Sequence, residues 1–195
     1  MKLEYIRLKE FKEKLHKIYL KDFPESERMP YYMIKKYYKN KKIKILALKD
    51  EKRNIVAYSM ITEHNGYILL LYLAVLKDKR KNGYGSLLLN MLKEKLKNKN
   101  MIIIEIESLD PSLKLNEEEK IIRQKRRSFY IKNEYLSTNI DVLLYDCKME
   151  ILYTNLLDKI KDSNYIINEY LNIYYNLNDK IRKSGKIEVL NGKQN

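Results

Sequence analysis

The sequence predicts a mixed α/β fold, with a mostly antiparallel sheet of about seven strands flanked by helices and followed by a C-terminal helix. Short polar turns of the kind that join antiparallel neighbours separate three strand-like runs, at residues 43–48, 55–62 and 67–75. A helical segment then leads into another strand-like run, and this strand–helix–strand passage indicates a parallel crossover. Two further runs, at residues 140–145 and 149–154, predict a closing hairpin.

The other elements follow from hydrophobic periodicity and capping signals. The first residues alternate as a strand does, and helical spacing of apolar residues predicts helices at 10–23 and 31–39. Asn116, with Glu119 three positions later, is a capping-box signature that starts a helix ending near Lys132.

We expect the 195 residues to form one domain, since this length supports one hydrophobic core. Residues 1–155 contain the predicted mixed α/β fold, and residues 156–195 add a C-terminal helix and tail to it. An apolar stripe defines that helix: Ile166, Tyr170, Ile173, Tyr174, Leu177 and Ile181. The stripe packs against its own domain or forms a dimer contact, so the chain is expected to be a monomer or a homodimer.

Composition excludes several classes of protein. Hydrophobic residues make up 45% of the chain, which excludes wholesale disorder. The longest uncharged apolar run, residues 67–76, is far shorter than the roughly eighteen residues that span a bilayer. The N-terminus is too rich in charges for a signal peptide, and the lone Cys147 has no disulfide partner. We therefore expect a cytoplasmic protein without membrane association.

The net charge of +14 raises the question of nucleic-acid binding. Of the 40 basic residues, 32 are lysines and only eight are arginines, and they are spread from end to end. Recognition surfaces favour arginine for its bidentate geometry, so this distribution argues against a dedicated nucleic-acid function. The two histidines are far apart and no cluster has metal-ligand spacing, so the sequence offers no metal site.

The most informative stretch connects a strand to a helix through a basic, glycine-containing loop. Backbone N–H groups at a helix N-terminus lack intrahelical partners and carry partial positive charge, so they can bind a phosphate. Gly83 and Gly85 remove Cβ atoms that would keep a diphosphate away from the backbone, and Arg80 adds a fixed charge. The alternative is an ordinary helix start with two glycines, since the stretch is neither a Walker loop nor a full dinucleotide fingerprint.

The longer string resembles the acetyl-CoA-binding motif of the GNAT superfamily of N-acetyltransferases. It consists of Leu-Ala-Val, a basic loop, Arg-x-x-Gly-x-Gly and Ser-Leu-Leu-Leu, and the resemblance in element order covers about residues 2–155. It implies acetyl-CoA as cosubstrate, with the backbone of Leu73 and Val75 pairing with pantetheine and the loop amides holding the diphosphate. The expected binding residues are Leu73, Ala74, Val75, Arg80, Lys81, Asn82, Gly83, Tyr84, Gly85 and Ser86.

The segment that ends at Tyr130 resembles the part of the family motif whose tyrosine meets the CoA sulfur, which implies that Tyr130 is the general acid. A tyrosine suits this role because it is protonated at neutral pH. With 18 tyrosines in the chain, the alternative is a core or surface residue. Arg123, Arg126 and Arg127 lie shortly before it and contact CoA phosphate, an acidic group on the substrate, or only solvent.

The predicted strand at residues 101–108 supplies candidates for a general base. Its isoleucines share one face, while Glu105 and Glu107 share the other. Carboxylates on an otherwise apolar strand are costly unless solvated or paired, and such a site can raise a carboxyl pKa. The resemblance places Glu105 at the base position, ahead of Glu107. The alternative is that either glutamate pairs with a nearby lysine or arginine.

These patterns predict an N-acetyltransferase that moves an acetyl group from acetyl-CoA to a primary amine by direct attack in a ternary complex. The acceptor, a small molecule or a peptide, is not identified by the sequence. Two alternatives remain open: a catalytically silent CoA-binding relative that acts as a regulatory or interaction module, and a basic protein associated with RNA or the ribosome.

Overall fold

The computed structural model describes residues 1–157, 162–184 and 186–190. These residues form a mixed α/β fold with eight strands, mostly antiparallel, and flanking helices, which confirms the predicted fold class. None of the helices in these ranges is long and apolar enough to cross a membrane.

The strands are β1 (Lys2–Tyr5), β2 (Ile43–Lys49), β3 (Ile55–His64), β4 (Tyr67–Val75), β5 (Met101–Glu107), β6 (Leu136–Leu144), β7 (Cys147–Asn155) and β8 (Ile187–Leu190). The α-helices are α1 (Leu8–Glu10), α2 (His16–Asp22), α3 (Tyr31–Lys39), α4 (Tyr84–Lys95), α5 (Glu117–Lys132), α6 (Ser163–Leu177) and α7 (Asp179–Ser184). A π-helical turn over Phe11–Leu15 connects α1 to α2, and 3₁₀ turns lie at Glu25–Glu27 and Lys77–Lys79.

The chain divides into two compact units. Unit 1 contains Met1–Glu63 and Leu70–Lys95, and unit 2 contains His64–Leu69 and Leu96–Asn195. The expected single domain, with residues 156–195 as its extension, stays a prediction.

Unit 1 is built on β1, β2, β3 and most of β4, hydrogen-bonded in that order. β1 and β2 are antiparallel, as are β2 and β3, with Leu46 opposite Ser59. Nearly every residue of β2 and β3 is buried, so both faces of these strands are covered. The helical stretch before α3 contributes Phe11, Leu15 and Tyr19 to the same core.

Unit 2 has the strand order β4, β5, β7, β6, β8. The start of β4 pairs in parallel with β5 over three residue pairs, from Tyr67 with Met101 to Leu69 with Ile103. β5 is antiparallel to β7 along its whole length, from Met101 opposite Asn155 to Glu107 opposite Met149. This arrangement confirms the predicted parallel crossover and places β5 at the centre of unit 2.

The two long helices of unit 2 cover opposite faces of its sheet. Ile106 on β5 is the register partner of Glu150 on β7, so their side chains share one face. Arg127 of α5 binds Glu150 on that face. Side chains alternate along a strand, so Glu105 points to the other face, where it contacts α6. β5 and β7 together therefore present carboxylates to both faces of the sheet of unit 2, Glu105 from β5 and Glu150 from β7.

Three sequence predictions about the C-terminal half need correction. The final helix ends at Leu177 and is followed by the short α7. Ile187–Leu190 forms an eighth strand, antiparallel to β6, where no strand was expected. β6 starts four residues earlier than predicted, since Asn139 has a φ of 58° at an irregularity that interrupts the side-chain alternation. The apolar stripe of α6 is buried within the chain itself, which confirms packing against its own fold.

Candidate active site

The glycine-containing loop lies in unit 1, between the end of β4 and the start of α4. After the 3₁₀ turn at Lys77–Lys79, Lys81 and Gly83 adopt left-handed backbone conformations, with φ of 66° and 75°. A Cβ atom added to Gly83 would meet no atom within 4 Å. The glycine therefore serves the backbone conformation and leaves the space beside it open to a ligand.

The first turn of α4 presents backbone donors beside this loop. The first helical hydrogen bond runs from the Leu87 amide to the Gly83 carbonyl, at 3.0 Å. The amides of Tyr84, Gly85 and Ser86 precede this bond and have no acceptor within the helix. With the partial positive charge of the helix N-terminus, they form a site suited to a phosphate or another anion.

Arg80 holds the loop in place from the side. Its Nη2 donates to Oδ1 of Asp22 at 2.7 Å, and its Nε donates to the carbonyl of Val75 at 3.1 Å. These bonds connect the loop to the end of α2 and to the end of β4. Arg80 was predicted as a fixed charge for a phosphate, and the structure gives its guanidinium an additional, structural role.

Sequence reasoning did not find Asp22. Its side chain is 9% exposed. Burial, and after it the charge of Asp22, raises the pKa of the Tyr58 hydroxyl. An acidic residue in the last turn of a helix is unfavourable for the helix dipole, so it needs a compensating partner. That unfavourable position was the available signal, and the partner is Arg80.

Unit 2 contains the candidate base. Glu105 is half-buried and accepts hydrogen bonds from Tyr170, at 2.7 Å to Oε2, and from Tyr174, at 2.7 Å to Oε1 and 3.0 Å to Oε2. Burial raises the pKa of the Glu105 carboxyl, and the two hydroxyls partly counteract that rise. No lysine or arginine forms an ion pair with Glu105 in the described ranges. A half-buried carboxyl with a raised pKa is chemically able to act as a base.

Glu107, the second candidate, forms an ion pair with Arg126 of α5. The alternative of pairing with a cation therefore holds for Glu107, whereas Glu105 is bound by tyrosines. The positive charge of Arg126 also acts on Tyr130, whose pKa it lowers slightly against the effect of burial.

Tyr130 lies in the last turns of α5 and is held between two aromatic rings. The rings of Phe129 and Tyr135 pack edge-on against it, with centroids 5.0 and 5.6 Å away. Burial raises the pKa of the Tyr130 hydroxyl to about 12, so it keeps its proton at neutral pH. Within the described part of the chain this hydroxyl has no hydrogen-bond partner, which leaves it available as a donor.

The other two arginines of α5 act within unit 2. Arg127 donates from Nε to both carboxylate oxygens of Glu150, at 3.1 and 2.9 Å, and Arg123 donates to the carbonyl of Ser108 at 2.7 Å. These bonds fix α5 against β5 and β7. The alternative that these arginines contact only solvent is therefore wrong for both Arg123 and Arg127.

The sequence-predicted residues thus fall into two groups. The ten expected binding residues, from the end of β4 to the first turn of α4, are in unit 1. The three expected catalytic residues are in unit 2, where Glu107 and Tyr130 are both neighbours of Arg126, while Glu105 is held by α6. Tyr170 and Tyr174 were identified in the sequence only as members of the apolar stripe.

Comparison with known proteins agrees with these observations. The model of the acetyltransferase (GNAT) family matches residues 12–117, which is more than half of the chain. A comparison with curated proteins gives no match.

Several solved structures share the fold. A GNAT-family acetyltransferase from Bacteroides thetaiotaomicron superposes with a TM-score of 0.67 at 17% identity, covering 90% of this chain and 98% of that one. An aminoglycoside 6'-N-acetyltransferase complexed with coenzyme A gives 0.58 at 16% identity, with 83% and 100% covered. A spermidine N-acetyltransferase from Vibrio cholerae, in complex with CoA and spermine, gives 0.61 at 10% identity, with 80% and 95% covered.

Replacing Asp22 with asparagine tests whether Arg80 positions the loop. Removing a negative charge should by itself improve binding of an anion, but loosening the Arg80 contact should dominate. We expect the Kd for acetyl-CoA, measured by calorimetry, to rise about three- to tenfold, on the order of 1 kcal/mol for a partly exposed ion pair.

Asp78→Asn is the matched control, because Asp78 is an exposed acid of the same loop whose ion pair among the described residues is with its neighbour Lys79. This variant should bind acetyl-CoA as tightly as the unmodified protein or slightly more tightly. If both substitutions changed the Kd for acetyl-CoA equally, the change in net charge would explain both results. That outcome would contradict a positioning role for Asp22.

Proposed function

Because the chain belongs to the GNAT family of acetyltransferases, we propose that it transfers an acetyl group from acetyl-CoA to a primary amine of an acceptor molecule. The observation that carries this proposal is the loop at the start of α4. It combines residues in the left-handed backbone conformation, first-turn amides that have no acceptor within α4, and open space beside Gly83. These features suit a diphosphate, and the loop lies inside the segment that the family model matches.

In this proposal the loop amides of Gly83, Tyr84, Gly85 and Ser86 hold the diphosphate of acetyl-CoA. Lys81 and Asn82 line the same turn, and Arg80 maintains its shape. The amide of Leu76 donates to the carbonyl of Val56 on β3, at 3.0 Å. Backbone groups alternate sides along a strand, so those of Leu73 and Val75 point away from β3, and Ala74 lies between these two residues. The carbonyl of Val75 already accepts a bond from Arg80. In this proposal the amide of Val75 and the backbone groups of Leu73 pair with pantetheine.

The proposed catalytic groups are those of unit 2. Acetyl-CoA supplies the activated acetyl group, and the acceptor must arrive as a free amine or lose a proton on the protein. Glu105 accepts that proton, and the protonated Tyr130 hydroxyl is the donor for the leaving thiolate. Glu107 is the second candidate for the base, but its ion pair with Arg126 makes it the weaker one.

The acceptor is the least determined part of the proposal. The names of two structural neighbours refer to spermidine and to an aminoglycoside, which are small amines. We therefore include a polyamine, an aminoglycoside and a peptide with a free N-terminus in an acceptor panel. A cytoplasmic location stays a prediction, as does the choice between monomer and homodimer.

The first test is binding of acetyl-CoA. A ligand specific for the folded state raises the melting temperature, so millimolar acetyl-CoA should stabilise the protein. Gly83→Ala should abolish most of this rise, because the new Cβ occupies the open space beside the loop. The substitution itself costs only about 1–2 kcal/mol, since the left-handed φ is strained but nothing is in contact.

Gly66→Ala is the control for the strain of placing alanine in a left-handed conformation, at a site away from the loop. Gly66 has a φ of 82°, and an added Cβ would lie 2.9 Å from Nδ2 of Asn100. This variant should melt at a lower temperature but keep the full rise with acetyl-CoA. An unmodified protein that shows neither stabilisation nor calorimetric binding would remove the basis of the proposal. Binding without CoA release on any acceptor would favour the catalytically silent alternative.

Tyr130→Phe tests the general acid. The ring stays packed between Phe129 and Tyr135, so the affinity for acetyl-CoA should change little. Turnover should fall by roughly a hundredfold or more, the usual contribution of a positioned acid. The measurement is CoA release at saturating substrate, and an unchanged rate with chemistry limiting would exclude Tyr130 from the reaction.

Replacing each glutamate in turn separates the two base candidates. Glu105→Gln should lose most activity at low pH and recover partly as pH rises, because free amine then becomes abundant in solution and needs no base. Glu107→Gln should leave the shape of the pH profile unchanged and affect mainly KM or stability, since it frees Arg126. A profile of kcat/KM against pH distinguishes these patterns, and exchanged patterns would make Glu107 the base.

A further inference from the structure

We propose that Tyr170 and Tyr174 of α6 are positioning residues that hold the Glu105 carboxylate in place to accept the proton of the acceptor ammonium. This inference rests on the proposed function, since it takes Glu105 as the base. It extends that function to a helix beyond residues 12–117, the segment that the family model matches.

Both tyrosine hydroxyls form short hydrogen bonds with the Glu105 carboxylate. Tyr170 donates to Oε2 at 2.7 Å, and Tyr174 donates to Oε1 at 2.7 Å and to Oε2 at 3.0 Å. Distances near 2.7 Å are typical of hydroxyls that donate to an ionised carboxylate. Both tyrosines are buried, and their rings pack edge-on with centroids 5.1 Å apart. The two hydroxyls are therefore fixed by ring packing as well as by Glu105.

The position of the two tyrosines on α6 supports a specific role. Residues 170 and 174 are four positions apart, so they project side by side from one helix face. The rest of that stripe consists of Ile166, Ile173, Leu177 and other apolar residues, for which hydroxyl groups are not needed. Burying a hydroxyl without a partner costs free energy, and both hydroxyls in this stripe find their partner in Glu105.

Counting acceptor positions shows that the carboxylate keeps room for the substrate. A carboxylate offers about four lone-pair positions, two on each oxygen. Each tyrosine hydroxyl donates one proton: that of Tyr170 goes to Oε2, and that of Tyr174 goes mainly to Oε1, with a longer second contact to Oε2. Acceptor positions therefore remain on the carboxylate, and the half-buried side chain is not closed off from solvent. An ammonium N–H proton moves to a carboxylate oxygen, leaving a free amine with its electron pair and a neutral Glu105.

The electrostatic surroundings of Glu105 are consistent with this role. The groups that face it are Tyr170 and Tyr174 from α6 and Tyr145 from the β6–β7 turn, whose pKa is raised by burial and by the Glu105 charge. Glu107, the next acid on β5, is neutralised by Arg126. Burial and the Glu105 charge raise the pKa of Tyr170 well above its ordinary value, so it remains a donor at every working pH. Removing the hydroxyls must therefore raise the pKa of Glu105 further.

The experiment compares Tyr170→Phe, Tyr174→Phe and the double variant with the unmodified protein. Phenylalanine keeps the buried rings, and a melting curve checks that each variant folds. Tyr165→Phe is the matched control: it lies on the same helix and loses a 2.7 Å hydroxyl contact, but with Tyr67 instead of Glu105. The first readout needs no activity. It is the titration of the carboxyl carbon of Glu105 by ¹³C NMR, with the resonance assigned through its loss in Glu105→Gln.

We expect the Glu105 titration to move to higher pH in both single variants and furthest in the double variant, and to stay in place in Tyr165→Phe. The acidic limb of kcat/KM, measured with the best amine of the panel, should move by the same amount. The double variant should lose about tenfold in kcat/KM below that limb, a loss typical of hydrogen bonds to a charged group, and recover at higher pH. A merely structural role would instead lower kcat/KM equally at all pH values.

Two results would overturn the inference: a Glu105 titration that does not move in the double variant, or a titration that moves while the acidic limb stays in place. Failure of the proposed function has a different signature, namely no CoA release by the unmodified protein on any amine. In that case the NMR titration still decides whether the two tyrosines hold Glu105 as an ionised carboxylate.

Discussion

Three glutamates on the central strands of unit 2 determine how its helices are placed. Glu105, Glu107 and Glu150 lie on β5 and β7 in positions where solvent reaches them only in part. A buried carboxylate without a partner costs several kcal/mol, so each one needs a donor from the layer that covers it. The donors come from α5 for two of them and from α6 for the third. A helix shifted by one turn would lose these bonds, so the glutamates fix the helix register.

The loop of unit 1 also depends on a poorly solvated carboxylate that needs a donor. Here the carboxylate belongs to a helix, and the loop supplies the arginine. Arg80 is half-exposed, and Asp22 at the end of α2 is the buried partner. Because Arg80 is bound to Asp22 and to the carbonyl of Val75, the backbone amides at the start of α4 are the donors that the fold itself holds in place for an anion. Backbone donors cannot change rotamer, and this makes the loop a rigid cradle.

The sequence predicted local features well and non-local ones poorly. The bounds of α3, β4 and α5 agree with the structure, since spacing, a proline and a capping box act within a few residues. β8 was missed because four residues are too few for a reliable pattern and this segment forms a strand by pairing with β6, far away in the sequence. The partners of the site residues were missed for the same reason: Asp22 and Arg80 are 58 positions apart, and Tyr170 and Glu105 are 65 apart.

A single physical cause, burial, gives the two proposed catalytic groups of unit 2 opposite properties. It raises the pKa of the Glu105 carboxyl, which brings a group that is normally ionised closer to the range in which it can take and return a proton. It also raises the pKa of Tyr130 to about 12, which keeps a group that is normally protonated in its donor form. The acid and the base are thus distinguished by residue type in a similar environment, and only the base needs fine adjustment. That adjustment is what the hydroxyls of Tyr170 and Tyr174 supply to Glu105, whereas Tyr130 needs only an apolar setting and a free hydroxyl.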